Sequence, residues 1–288
     1  MSLSPLTLSP DRMQFLEDGY PWVWRGTLTW SLYGRYLHQG MEAALAVLRD
    51  RQACGANTVC CSLMLSWGFP FSPVTPGFWS GLTPFVRTAA DEGLRLCFII
   101  FADTRSLMPN HDAQVAHWQR IYTHLGGEPN VTLLLVNQPG HHSQDLDLYR
   151  FDPPPPIAGF PALLAARANP FEDHPPILPA WSFSAFAAKR NDPNWFMEAG
   201  CGSMWYTVNG FGSYPGTQQA TVLFEPAPAG RRPEWTDPGK WRQFARSCCF
   251  RGTVGANFYS DYDARSEIYP AGVVRDCAVE FLGNLPRP

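Results

Sequence analysis

The sequence predicts an α/β protein built as a (β/α)8, or TIM, barrel, and three observations predict it. Strand-like and helix-like segments alternate along the chain, the pattern of a parallel sheet with crossover helices. Eight strand-like segments fit within 288 residues, a size at which such barrels form one domain. No GxGxxG follows the first strand-like segment, which sets aside the doubly wound open sheet as the main rival. Neither a repeat nor a linker divides the chain, so residues 1–288 read as a single barrel domain.

The elements follow in order. Trp22–Thr29 is apolar and rich in β-formers, and opens the barrel. Gly40–Ala53 sets Ala, Leu and Arg at helical spacing. Asn57–Leu65 is the second strand. Phe78–Glu92 is a helix whose stop is Gly93, a residue suited to a left-handed C-cap. Leu94–Phe101 (LRLCFIIF) and Val131–Val136 are continuous apolar runs, read as buried strands. Asp112–Leu125 between them is helical and ends at Gly126-Gly127. Asp152 to Pro156 forces a loop, and Phe160–Ala168 reads as a helix closed by Asn169-Pro170.

Ile177–Trp181 is the expected fifth strand, and Asp192-Pro193 opens a helix to Ala199 with Asp as N-cap and Pro at the first position. Ser203–Val208 is the sixth strand. The sixth unit is irregular, because Gly210–Gln219 is too glycine-rich for a helix. Thr221–Phe224 is the seventh strand, Gly239–Phe250 a helix opened by Asp237-Pro238, Val254–Tyr259 the eighth strand and Ala271–Leu282 the last helix.

Composition narrows the function. The chain is 45% hydrophobic and 16% charged, enough to build a large core and too apolar for a disordered chain. A net charge of -3 with no basic block argues against nucleic acid as partner. No apolar run approaches the roughly 20 residues that span a bilayer. Met1–Phe15 lacks a charged segment followed by an apolar one. The expectation is a soluble, cytoplasmic protein with no membrane contact.

The eight cysteines show no CxxC and no Cys/His metal spacing, so they read as buried free thiols in a reducing compartment. Adjacent His141 and His142 diverge and lack a third ligand, and no metal is expected. No P-loop and no GxSxG is present, and no cofactor is expected.

In a barrel of parallel strands the functional face is the one at the strands' C-terminal ends. The first strand supplies Arg25 and Trp30, the second Ser66-Trp67, the third Asp103 and Arg105, and the fourth Asn137-Gln138. The fifth supplies Trp181 and the sixth Trp205, Tyr206 and Asn209. Glu225 ends the seventh, and Asn257, Tyr259 and Asp261 the eighth. Trp67, Trp181 and Trp205 serve either as packing or as flat faces for sugar rings.

This list resembles clan A of the glycoside hydrolases, the retaining (β/α)8 enzymes that include cellulases and mannanases. Asn137-Gln138-Pro139 matches the clan's Asn-Glu-Pro at the end of strand four except at the acid/base glutamate. Glu225, in VLFEP, matches its strand-seven nucleophile. FLEDGYPWVWRG, holding Asp18-Gly19 and Arg25-Gly26, resembles the approach to its first strand, and IAGFPALLAARANPFEDHPPI its fourth helix leading into strand five. The resemblance implies a carbohydrate ligand across the top face. It also implies Asn137 beside the anomeric centre and Tyr206 against the nucleophile. Arg25 either holds Glu225 ionised by opposite charge or pairs structurally with a barrel carboxylate. Asp103 and Tyr259 complete the expected substrate-binding set.

Retaining hydrolysis uses two carboxyl groups about 5–5.5 Å apart, one attacking carbon and one shuttling a proton. A glutamine amide cannot give up and regain that proton. Three readings of Gln138 follow: a sugar-binding relative without hydrolysis, recruitment of another acid among Asp103, Asp145, Asp147, Glu234 and Asp261, or an introduced replacement of a native glutamate. The rival from another class is a non-catalytic barrel module that binds a glycan or a protein.

Overall fold

The computed structural model describes residues 3–10, 14–136, 142–151, 165–166, 168–169, 184–187, 221–225, 236–249 and 253–285. Its centre is a sheet in which every pairing is parallel, in the order β8-β7-β6-β5-β4-β12-β11-β10-β9. The strands are β4 (Trp24–Leu28), β5 (Thr58–Ser62), β6 (Arg95–Phe101), β7 (Val131–Val136), β8 (Ala165–Ala166), β9 (Ala168–Asn169), β10 (Ser184–Ala187), β11 (Thr221–Glu225) and β12 (Thr253–Phe258). A single residue separates β8 from β9, the two ends of that order.

Helices α1 (Leu32–Gln39) and α2 (Met41–Ala53) follow β4, and α3 (Phe78–Asp91) follows β5. The short α4 (Thr104–Leu107) and then α5 (His111–Leu125) follow β6. Helix α6 (Pro238–Cys249) precedes β12, and α7 (Asp261–Ala264) and α8 (Val273–Asn284) come after it.

The helix signals act as their chemistry dictates. Past α3, Gly93 adopts φ +72, its N–H bonds Ala90 O, and the Leu94 N–H bonds Ala89 O, both at 2.9 Å. That is a Schellman closure, which satisfies carbonyls the helix end leaves open. Asn110 caps α5 by accepting from the Ala113 N–H at 2.9 Å, and Asp237 accepts from the Gly239 N–H at 2.8 Å with Pro238 first in the helix.

An N-terminal hairpin precedes the parallel sheet. β1 (Leu6–Leu8), β2 (Phe15–Glu17) and β3 (Tyr20–Trp22) are antiparallel in that order. The two-residue turn Asp18-Gly19 has φ of +51 and +83, the doubly left-handed turn that Asp-Gly favours because its twist matches the strands. Arg95, first residue of β6, ties the hairpin down. Its guanidinium donates to Ser4 O at 2.6 Å and Pro129 O at 3.0 Å and pairs with Glu17. Trp22 and Phe15 pack on Trp24 at ring separations of 6.2 and 6.1 Å. The hairpin therefore lies against the N-terminal end of the sheet.

One expectation is overturned. Phe160–Ala168 reads as a helix, yet Ala165–Ala166 and Ala168 are strand. Ala165 and Ala166 pair with Leu133 and Leu134 of β7, and Ala168 pairs with Ala185 of β10. Ladder bonds on both sides outweigh a local helix preference worth only tenths of a kcal/mol per residue. The same finding removes the helical half of the resemblance at this stretch. Helix α1 and strand β10 are elements the sequence reading did not contain. The expected elements Ile177–Trp181, Asp192–Ala199 and Ser203–Val208 lie outside the described residues.

The core fills both faces of the sheet. Trp24, Leu28, Phe98, Phe101, Trp118 and Leu133 are fully buried, each side chain of this kind contributing about 1.5–3 kcal/mol on burial. Cys54, Cys60, Cys61 and Cys97 are free and buried, as expected, and Cys277 is buried too. Burial pushes the Cys54 thiol up to about 11 and Cys277 up to about 12, so neither is a thiolate at neutral pH.

Two tests bear on this packing. At Gly255, φ is +145, and an added Cβ would stand 2.0 Å from the backbone oxygen of Trp24. Gly255→Ala therefore lowers unfolding free energy by about 3 kcal/mol or more, from backbone displacement and strain. Gly283, in α8, meets nothing within 4 Å, so Gly283→Ala raises it by up to about 1 kcal/mol. Urea denaturation of both variants reads the contrast.

His117 is buried among Phe78, Trp79 and Phe101 on α5, and neither ring nitrogen has a hydrogen-bond partner among the described residues. Burial, with Arg120 adding to it, pushes its pKa down to about 3. The unfolded chain takes up this proton below its ordinary value of 6.5, and the folded chain does not. Stability is thus full above pH 6.5 and falls as pH drops toward 3, by about 3 kcal/mol near pH 4 from this group alone. His117→Phe removes that component of the pH dependence and raises stability at acid pH, as measured by thermal unfolding from neutral pH to pH ~4.

Candidate functional site

Because the strands are parallel, their C-terminal ends share one edge. β4 leads into Thr29 and Trp30, β5 into Ser66 and Trp67, β6 into Asp103, and β12 into Tyr259. Glu225 is the last residue of β11, and β7 ends at Val136, immediately before Asn137 and Gln138. Asn137, Gln138, Trp181, Trp205, Tyr206, Asn209 and His141 lie outside the described residues.

Trp67 is 42% exposed and stands beside the buried Trp30, ring centroids 6.2 Å apart and tilted by 55°. Tyr259 is buried in the same core region. The edge thus carries one open aromatic face backed by a second indole.

Asp103 is buried and holds a left-handed backbone at φ +55, a conformation Asp tolerates better than most residues. Its Oδ2 accepts from the Ser66 N–H at 2.9 Å and the Ser66 hydroxyl at 2.6 Å. It therefore ties the segment after β5, which carries Trp67, to the segment after β6. Thr104 continues the tie: its hydroxyl donates to Gln144 Oε1 at 3.1 Å and accepts from the Asp145 N–H at 2.7 Å. Gln114 on α5 donates to Met108 O at 2.8 Å and Asp145 O at 2.6 Å. Of the other acids considered, Asp145 faces His111 at 3.2 Å and Asp147 pairs with Arg150 at 3.2 Å. Glu234 lies outside the described residues.

Behind Trp30 is a buried ionic network that sequence reasoning missed. Asp263 is fully buried and accepts from Arg51 Nε at 3.0 Å, Ser260 Oγ at 2.8 Å and, at 2.7 and 2.8 Å, the Tyr269 hydroxyl. The Arg51 guanidinium lies 3.6 Å from the centroid of the Tyr269 ring and donates to Glu267 O at 2.6 Å. Thr29 Oγ1 reaches Asp263 at 3.4 Å, and the Trp30 N–H donates to Asp263 O at 3.2 Å. Burial raises the Asp263 carboxyl, and Arg51, Tyr269 and Ser260 oppose that rise. No sequence signal marked this group: Arg51 enters the sequence reading only as one of the residues at helical spacing in Gly40–Ala53.

Arg25 is placed differently from the sequence reading. It is the second residue of β4, not a group at its C-terminal end. Its backbone N–H donates to Asn57 Oδ1 at 2.9 Å, and its O accepts from the Asn57 N–H at 2.9 Å. Its neighbours include Glu17 and Arg95 at the N-terminal end of the sheet. The error came from counting the first strand from Trp22, where the structure ends the hairpin. Asn257 is likewise inside the core, accepting from Trp24 Nε1 at 2.7 Å, and Gly26 is the space that lets it in: a Cβ there would meet Asn257 Oδ1 at 1.8 Å.

Neither a known protein-family model nor a curated protein matches the chain. Solved structures do. A Rhizomucor miehei glycoside hydrolase family 5 mannosidase, as its E301A mutant, matches with a TM-score of 0.67 over 98% of both chains at 10% identity. A Bacteroides vulgatus glycoside hydrolase family 5 protein matches with 0.61 over 92% of this chain at 14% identity. A putative glycoside hydrolase from the same organism matches with 0.66 over 89% at 12% identity. The chain is similar to these proteins in fold. It spans 65% and 55% of the length of the two Bacteroides proteins.

Among the described residues, no group of His, Cys, Asp and Glu is arranged to hold a metal, and no helix is long and apolar enough to cross a membrane.

The ionic network yields a test. Removing one partner leaves a buried charge uncompensated, a cost of about 3–5 kcal/mol. Arg51→Met, which strips the fully buried Asp263 of its cation, is expected to lower unfolding free energy by that amount, and Asp263→Ala by less, because Arg51 keeps its pair with Asp50. The double variant costs clearly less than the sum in a double-mutant cycle. Thr29→Ala, which loses two long 3.4 Å contacts, to Asp263 and to Thr27 Oγ1, costs under about 1 kcal/mol.

Proposed function

We propose that residues 1–288 form a single (β/α)8 barrel, closed where β8 and β9 meet, that binds a carbohydrate at the C-terminal edge of the sheet. The chemistry at that edge is of the retaining glycoside hydrolase kind. Glu225 is the nucleophile position and residue 138 the acid/base position. The observation that carries this reading is that Glu225 ends β11 and Val136 ends β7 on the same edge of the sheet, with Asn137-Gln138 next in the sequence after Val136. Support comes from the fold likeness to family 5 glycoside hydrolases and from the open face of Trp67. Asn137, Tyr206, Trp181, Trp205 and Tyr259 complete the sugar site. Asp103 positions the Trp67 segment.

With Gln at 138 the site binds sugar but moves protons poorly. Glu225 attacks the anomeric carbon, and the leaving oxygen departs without a proton from residue 138. Water then attacks the glycosyl-enzyme without a base. General acid/base help is worth about 10²–10⁴-fold, so glycosides with poor leaving groups turn over slowly or not at all.

Gln138→Glu is expected to raise hydrolysis of mannan and cellulose oligosaccharides and of unactivated aryl glycosides by about 10²-fold or more. Glu225→Gln in that background abolishes it. Titration calorimetry on the unaltered chain should detect oligosaccharide binding. Binding without hydrolysis in every variant assigns the barrel to the non-catalytic glycan-binding class; absence of both ends the carbohydrate reading.

A further inference from the structure

The chain after β7 is fixed at two points to the chain at the end of β6. Val136, the last residue of β7, pairs with Phe101, the last of β6. Beyond the strands, the Arg105 N–H donates to Ser143 O at 3.0 Å. Phe101 and Arg105 are four positions apart, and six residues, 137–142, separate Val136 from Ser143 in sequence. Asn137 and Gln138 are among those six. Buried polar groups build the second fixing point: Thr104, Gln114 and Gln144 are all buried. The Thr104 hydroxyl is used in both directions, donating to Gln144 Oε1 at 3.1 Å and accepting from the Asp145 N–H at 2.7 Å. Gln114 Nε2 donates to Asp145 O at 2.6 Å and to Met108 O at 2.8 Å, which brings α5 to the same junction.

We propose that Thr104 is a positioning residue for the acid/base position: with Gln114, it fixes where the chain returns to the scaffold after residue 138. The inference rests on the role given to residue 138 above. Its basis is geometric. Tying both ends of a short segment removes conformations that a single tie leaves open. Proton transfer requires the acid within hydrogen-bond reach of the leaving oxygen, and a misplacement of about 1 Å costs about 10²-fold in rate. A hydroxyl suits the task because it both donates and accepts, so one short side chain holds a side-chain oxygen and a backbone N–H of the returning chain at once. Valine has nearly the same shape and makes neither bond.

The test uses the full chain carrying Gln138→Glu, with kcat/KM measured on a phenyl glycoside and on the dinitrophenyl glycoside of the same sugar. The phenyl leaving group needs a proton in the first step, and the dinitrophenyl group does not. Adding Thr104→Val is expected to lower kcat/KM roughly tenfold or more for the phenyl substrate and less than about threefold for the dinitrophenyl one. Thr104→Ser, which keeps the hydroxyl, holds both values within about threefold of the Gln138→Glu parent. A residue that only supports the fold would lower both together. Circular dichroism checks that each variant is folded; should Thr104→Val fail to fold, Gln114→Met, which removes the bond to Asp145 O, is read by the same ratio. A folded variant that leaves the ratio of the two values unchanged overturns the proposal and leaves the hydrolase reading standing. Hydrolysis of neither substrate by Gln138→Glu alone overturns that reading, and the proposal with it.

Discussion

Trp24 and Asn257 stand 233 residues apart and share a buried hydrogen bond of 2.7 Å, and everything at the strand ends depends on the seam that bond closes. β4 and β12 pair in parallel from Gly255 opposite Trp24 to Phe258 opposite Thr27. Two glycines make the approach possible: Gly255 where the Trp24 backbone presses in, and Gly26 where the Asn257 side chain does. Joining ends this remote costs closure entropy, though that cost grows only slowly with loop length. The seam offsets it with a continuous ladder and a buried aromatic group.

The outer side of the seam is ionic. Arg51 on α2 and Asp263 on α7 meet behind β4, and Tyr269 stacks on one while donating to the other. A buried ion pair is weak support for net stability, since desolvation consumes most of the attraction. Its value here is geometric. Asp263 holds Trp30 by its backbone and Thr29 by its side chain, and Trp30 backs the exposed ring of Trp67. The placement of the open aromatic face is thus tied to the junction of the first and last described units. The Asp103–Ser66 pair fixes the same segment from the other side. The wall of the candidate site is held by polar groups that touch no ligand themselves.

Much of the backbone plan was legible in the sequence. Val131–Val136 is strand at the expected bounds, and Phe78 to Gly93 folds as a helix with its glycine closure. Asp237-Pro238 starts a helix as its cap chemistry requires. These segments are read correctly because their signals are local: a continuous apolar run, a left-handed glycine, an Asp before a Pro. Ala165, Ala166 and Ala168 misled for the complementary reason. Alanine favours a helix in isolation, and only the strands on either side hold these residues extended. Arg25 misled because one run of apolar residues, Trp22 to Thr29, contains the end of a hairpin and the start of a strand of the parallel sheet.

By itself, the sequence determined an alternating α/β chain, parallel strands, buried free thiols at Cys54, Cys60, Cys61 and Cys97, and a glutamate ending the strand at Glu225. Hydrophobic period, capping residues and turn glycines act within a few positions, so a linear reading captures them. Tertiary structure alone decided which polar side chains are core, which are seam and which are open. Asn257 became a core acceptor, Arg51 and Asp263 a buried clamp, and Arg25 the lining of a cavity at the opposite end. The reason is that a polar side chain's role follows from the partners that desolvate it, and those partners come from strands and helices tens to hundreds of residues away.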